Sequence, residues 1–150
     1  MTAVEVHHRV DGAPDAPPVL MINSLGADLS TGGTGAVADA VVARWLTPAY
    51  AAAHPERVAA LRAMVAATPT EGYAAACSAI EVMDQRPDLP RIAAPTLVLA
   101  GADDPATPPP HAELIARAIP GARLAILDHA AHLATYERAD AATPLILKAL

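Results

Sequence analysis

Apolar residues follow two rhythms along this chain. Val19–Ile22, Thr96–Ala100 and Arg123–Leu127 contain short, nearly continuous apolar runs. Runs of that length suit strands buried on both faces, as in a parallel sheet. Between the first two runs the spacing changes to that of helices. Val37, Val41, Val42, Trp45 and Leu46 fall on one stripe, which Pro48 ends. Pro55 opens a second helix with Val58, Leu61, Met64 and Val65 on its apolar face. A third carries Tyr73, Cys77, Ile80 and Met83 at helical spacing. Residues 30–35 (Ser-Thr-Gly-Gly-Thr-Gly) predict a flexible break, and 86–90 a connector.

The C-terminal third alternates the two rhythms. The strand at 96–100 leads into an acidic, proline-rich loop, then a helix over His111–Ile119 with Leu114, Ile115, Ala118 and Ile119 inward. Pro120-Gly121 stops it, the strand Arg123–Leu127 follows, and Asp128–Leu133 is a loop with two histidines. A last helix is expected near Pro144–Leu150, and residues 3–10 alternate like an edge strand. Strand, helix, strand with short loops predicts an α/β fold with a parallel sheet and right-handed crossovers. There is no internal repeat.

Composition narrows the function classes. The chain has 150 residues, 53% apolar and 17% charged, with 15 prolines and no phenylalanine. That is the composition of one globular domain. Thirty-eight alanines and only 3% aromatics mean a core of small side chains. Net charge is −6 and there is no basic run, which argues against a nucleic-acid partner. No stretch has the roughly 20 apolar residues of a membrane span, and Met1–Val10 does not read as a secretory signal. The expected location is the cytoplasm. The single cysteine, Cys77, excludes an internal disulfide and reads as a buried, inert thiol. No His/Cys/Asp/Glu set has metal-ligand spacing and no glycine loop cradles phosphate, so neither a metal nor a cofactor is expected.

The chemistry-bearing residues sit just after strands: Asn23-Ser24, Asp103-Asp104, and His129 with His132. In parallel α/β sheets ligands bind at that edge. Gly101-Ala102-Asp103-Asp104-Pro105-Ala106-Thr107-Pro108 resembles the Gly-x-x-Asp-x-x-Thr-Pro acid loop of the α/β-hydrolases. Ala130-Ala131-His132-Leu133 with Glu137 resembles their histidine loop. Asn23 to Leu29 resembles the oxyanion loop of the 3-oxoadipate enol-lactonases, and Ala36–Pro48 with Met64–Asp84 resembles their helical cap.

The resemblance implies a truncated α/β-hydrolase-type parallel sheet with a partial helical cap, as a single domain over 1–150. Residues 1–29 would hold N-terminal strands and the oxyanion loop, 36–86 the cap remnant, and 95–150 the acid and histidine loops. It implies His132 as general base, Asp104 as its orienting acid and the Leu25 backbone N–H as an oxyanion donor. Asp103 and His129 are read as structural or surface residues, and His7 and His8 as non-functional. Arg44 and Trp45 would contact the carboxylate of a small lactone substrate.

One departure governs the functional reading. The section with the Gly-x-Ser-x-Gly nucleophile elbow, with three central strands, is missing at about residues 30–32, and the fold usually takes roughly 250 residues. The three serines, Ser24, Ser30 and Ser78, have no elbow context. The expectation is therefore a hydrolase relative with an acid, a base and half an oxyanion hole, and little activity alone. The rival readings are a non-catalytic module for small carboxylates and a remnant without function. Three structural expectations follow. Val19–Ile22 should pair beside 96–100, His132 should reach Asp104, and exposed apolar surface should promote self-association.

Overall fold

The structure is a computed structural model that describes residues 33–81 and 83–149. The expected strands at 3–10 and Val19–Ile22, the loop with Leu25, Ser24 and Ser30, and His7 and His8 lie outside the described residues.

The described chain begins with four helices. These are α1 (Gly33–Trp45), α2 (Pro48–Ala53), α3 (Pro55–Ala66) and α4 (Thr70–Glu81). The apolar stripe of α1 is buried as its spacing predicts: Val37, Val41, Val42 and Trp45 are all 6% exposed or less. The helix starts earlier than expected, because Gly33–Gly35 form its first turn rather than a break. Thr34 holds that turn by donating its hydroxyl to the Thr68 carbonyl at 2.8 Å, across to the α3–α4 junction. Pro48 ends α1 but also opens α2, a helix the hydrophobic spacing does not announce. Thr47 is its N-cap, with a side-chain oxygen accepting from the Tyr50 amide at 3.3 Å, and proline suits the first helical position. Pro55 opens α3 in the same way.

A 3-10 turn over Arg86–Arg91 occupies the expected connector and leads to the sheet. Strand β1 (Leu97–Gly101) pairs parallel with β2 (Arg123–Leu127), Leu97 opposite Arg123 and Gly101 opposite Leu127. Helix α5 (Pro109–Ala118) makes the crossover, starting two residues before the expected point because Pro109 takes its first position. After β2 come α6 (Ala134–Glu137) and α7 (Ala139–Leu147). The last helix was expected to begin at Pro144, yet Pro144 lies inside α7. A ring there removes one backbone hydrogen bond without ending so short a helix.

Among the described residues two clusters form the core. Trp45, Leu46, Leu61 and Val65 pack with the α1 valines, and Leu133 from the histidine loop leans against them. Leu127, Ala130, Ala134 and Ala142 pack under the sheet with Leu99 and Ile146. The second cluster is mostly alanine, as the composition implied.

Several inward assignments are corrected. Leu114 and Ile115 are 44% and 37% exposed, and α5 buries Ala112 instead, with Ile119 following it. Among the described residues two strands pair, and they face one narrow stripe of that helix. The strands are half-buried for most of their length rather than covered on both faces, with Leu124 41% exposed. Met64 and Met83 are also exposed, while Val58, Ile80 and Cys77 are half-buried. Among the described residues no helix is long and apolar enough to cross a membrane.

Candidate active site

Two loops leaving adjacent strand ends meet at this site. The acid loop organises itself around Asp104. Its Oδ1 accepts from the amides of Ala106 at 2.8 Å and Thr107 at 3.0 Å. Its Oδ2 accepts from the Thr107 hydroxyl at 2.8 Å. An aspartate followed by proline folds back on its own backbone in this way because the short side chain mimics a turn's carbonyl.

The histidine loop is pinned to the acid loop by backbone bonds. Ala102 donates to the Leu127 carbonyl and Asp103 to the Ala130 carbonyl, both at 2.9 Å. The approach is close enough that Gly101 must lack a side chain. A Cβ there would overlap the carbonyl oxygens of both Ala130 and Ala131. His129 turns the chain in the left-handed region, at φ 57°.

These constraints bring His132 Nδ1 to 2.8 Å from Asp104 Oδ2. Both side chains are withdrawn from solvent, 7% and 4% exposed. The Thr107 hydroxyl lies 3.2 Å from the same ring nitrogen. Burial pushes the Asp104 carboxyl up, but its bonds from Thr107, His132 and Ala106 outweigh that and hold it below the ordinary aspartate value. An ionised carboxylate only accepts, so Nδ1 carries the proton and donates to it. The ring's lone pair is then on Nε2, the tautomer a general base requires.

Asp103 and His129 are exposed and outside this network. Ser78, the one serine among the described residues, is an exposed residue inside α4. A nucleophile elbow needs a strained strand-to-helix turn, which a helix interior does not provide. Arg44 and Trp45, adjacent in sequence, diverge on α1. Arg44 is on its exposed side, while the Trp45 ring is 6% exposed within the helical core. The Trp45 carbonyl accepts from the Leu133 amide at 2.9 Å, so its backbone touches the histidine loop. Two clefts open on the helical layer. One of about 420 Å³ is lined by Val42, Leu46 and Val58 with the Asp39–Arg62 ion pair, the other of about 270 Å³ by Trp45, Met64 and Tyr73. Neither is lined by His132 or Asp104. No group of three potential metal ligands converges among the described residues.

The family model described as TAP-like protein, an α/β-hydrolase model, matches residues 63–149. The chain belongs to the α/β-hydrolase family. Its similarity extends beyond that segment. A 3-oxoadipate enol-lactonase of Acinetobacter baylyi is 36% identical over 105 residues, 70% of this chain and 39% of the relative. The crystal structure of the enol-lactonase from Burkholderia xenovorans superposes with a TM-score of 0.76 at 41% identity, over 79% of this chain and 45% of that one. A thermophilic esterase from Thermogutta terrifontis, described with malate bound, gives 0.72 at 32% identity, over 80% and 44%. The chain thus spans less than half the length of these relatives.

Sequence reasoning quoted Thr107 and Glu137 within their motifs but gave neither a role at the site. Thr107 binds both members of the Asp104–His132 pair. Glu137 is a buried carboxylate bonded to Thr47 and to Ala131, the residue before the histidine. The signal for both was present, since each is a polar residue at a set distance from a motif's functional side chain.

Proposed function

We propose that this chain carries the acid–base half of a lactone or carboxylic-ester hydrolase for small carboxylate-bearing substrates, and that it hydrolyses little by itself. The reading rests above all on the Asp104–His132 pair, withdrawn from solvent and bridged by the Thr107 hydroxyl. The enol-lactonase relatives support the substrate class, and our reading sets the reaction in aromatic catabolism in the cytoplasm. The esterase described with malate bound supports a carboxylate as the recognised group. Arg44 is our candidate partner for it, with Trp45 shaping the helical layer beside it.

The chemistry follows from the tautomer. Nε2 of His132 removes a proton from water as its oxygen bonds to the acyl carbon. Asp104 stabilises the imidazolium that forms, and the Leu25 N–H is the expected donor to the developing oxyanion. Collapse breaks the acyl–oxygen bond, and the imidazolium returns its proton to the leaving oxygen. No serine in an elbow is available to form an acyl-enzyme, so the covalent route of the parent reaction is absent.

The test is turnover of an aryl ester and of an enol-lactone, with His132→Ala as the control. We expect no burst, no stoichiometric labelling by a serine-directed phosphonate, and His132-dependent hydrolysis at most about 10³–10⁴-fold above the uncatalysed rate. A burst, or labelling of Ser24, Ser30 or Ser78, overturns the missing nucleophile. Hydrolysis identical in His132→Ala removes the catalytic reading. Thermal stabilisation by small dicarboxylates without turnover favours the binding-module alternative.

A further inference from the structure

The histidine loop touches more than the acid loop. His132 lies between Ala131 and Leu133, and the backbone amides of both neighbours are tied toward the helical layer. Ala131 donates to Glu137 Oε2 at 2.5 Å. Leu133 donates to the Trp45 carbonyl at 2.9 Å. The other oxygen of Glu137, Oε1, accepts both the Thr47 amide and the Thr47 hydroxyl, each at 2.7 Å. Glu137 and Thr47 are both 8% exposed.

Three donors from two separate parts of the chain therefore converge on one buried carboxylate. Thr47 is also the N-cap of α2, so the same residue fixes the α1–α2 corner and grips Glu137. A second, outer clasp runs parallel to it. Arg57 of α3 lies 5.8 Å from the ring centre of Tyr50 and 5.5 Å from that of Tyr136 in α6, while donating to the Tyr50 hydroxyl.

We propose that Glu137 is the positioning residue for His132, and that through Thr47 it couples the imidazole's alignment on Asp104 to the α1–α2 corner of the helical layer. Neighbouring backbone is held on both sides of the histidine, so its ring orientation depends on where that corner sits. A carboxylate suits the task because both its oxygens accept. A glutamine would keep the Thr47 bonds but turn an amide donor toward the Ala131 N–H, or the reverse. The catalytic meaning of this coupling rests on the hydrolase reading above. Its test does not, because it observes the ring and the backbone without turnover.

The experiment is proton NMR of the full chain and its variants, following the downfield Nδ1 proton of His132 and amide exchange at Ala131. In Glu137→Gln we expect the Nδ1 resonance to shift or vanish and Ala131 to exchange about tenfold faster or more. Thr47→Val leaves the Ala131 bond intact but loses the hydroxyl bond. It should move the Nδ1 resonance through the helical side alone, and it carries the test if Glu137→Gln fails to fold. Ile119→Ala, a buried truncation at the α5–β2 junction, serves as a destabilised control and should leave the resonance in place. An unchanged Nδ1 resonance in Thr47→Val and in any folded Glu137→Gln overturns the proposal. Equal loss of it in Ile119→Ala does so as well.

Discussion

Gly101 and Asp104 show how much of the site is settled by single residues. Gly101→Ala would drive a methyl group into two backbone carbonyls that have no softer neighbour to yield. The expected cost is about 1–3 kcal/mol, with displacement of the histidine loop, measurable by urea unfolding together with the His132 Nδ1 resonance. A wild-type melt and resonance in that variant would contradict the close approach. Asp104 gives the site its pH dependence. Its carboxyl is held below its ordinary value, so its contribution to stability is present above the unfolded aspartate pKa and is lost as pH falls through the lower folded value. Unfolding free energies measured from pH 6 down to about 2 should therefore fall more steeply in the native chain than in Asp104→Asn. Equal slopes would remove that role. Asp104 was legible in the sequence from its motif. Thr107's double contact was not, because one hydroxyl serving both an acid and a base depends on two loops meeting.

At the scale of elements, apolar spacing located most helices and both described strands, because burial imposes period and length on each segment separately. It failed where chemistry other than burial starts a helix. Helix α2 exists because Thr47 caps it and Pro48 suits its first turn, and it buries no residue of its own. It also failed on α5, because which stripe of a helix is covered depends on the elements packed against it and not on its own spacing. That difference has a measurable consequence. Leu114→Gln, at a site 44% exposed, should change stability by no more than about 0.5 kcal/mol. Leu61→Ala, in the helical core, should cost about 2–5 kcal/mol. Chemical denaturation of the two variants decides it, and comparable losses would mean that Leu114 is covered in solution.

At the scale of the whole molecule, the described residues combine a small sheet with a helical layer and leave large apolar side chains in water. Met64, Leu114, Leu124 and Leu147 are between 41% and 67% exposed. We expect concentration-dependent self-association in sedimentation experiments, reduced in a Leu114→Gln/Leu124→Gln double variant. A monomer at all concentrations would show that these side chains are too scattered to act as one surface. The sequence by itself determined the α/β class, both described strands and most of the helices, the small-residue core and which acid and histidine belong to which loop. Each of these is a local property, carried by spacing, turn residues or motif. Only the tertiary structure decided that Asp104 and His132 lie 2.8 Å apart, that the Thr107 hydroxyl meets both, and that Glu137 joins the histidine loop to Thr47. Thr47 and Glu137 are ninety positions apart, and no local pattern specifies which distant backbone a buried carboxylate will meet. That pairing is set by how the helical layer packs against the loop after β2, an arrangement that satisfies their buried polar groups together.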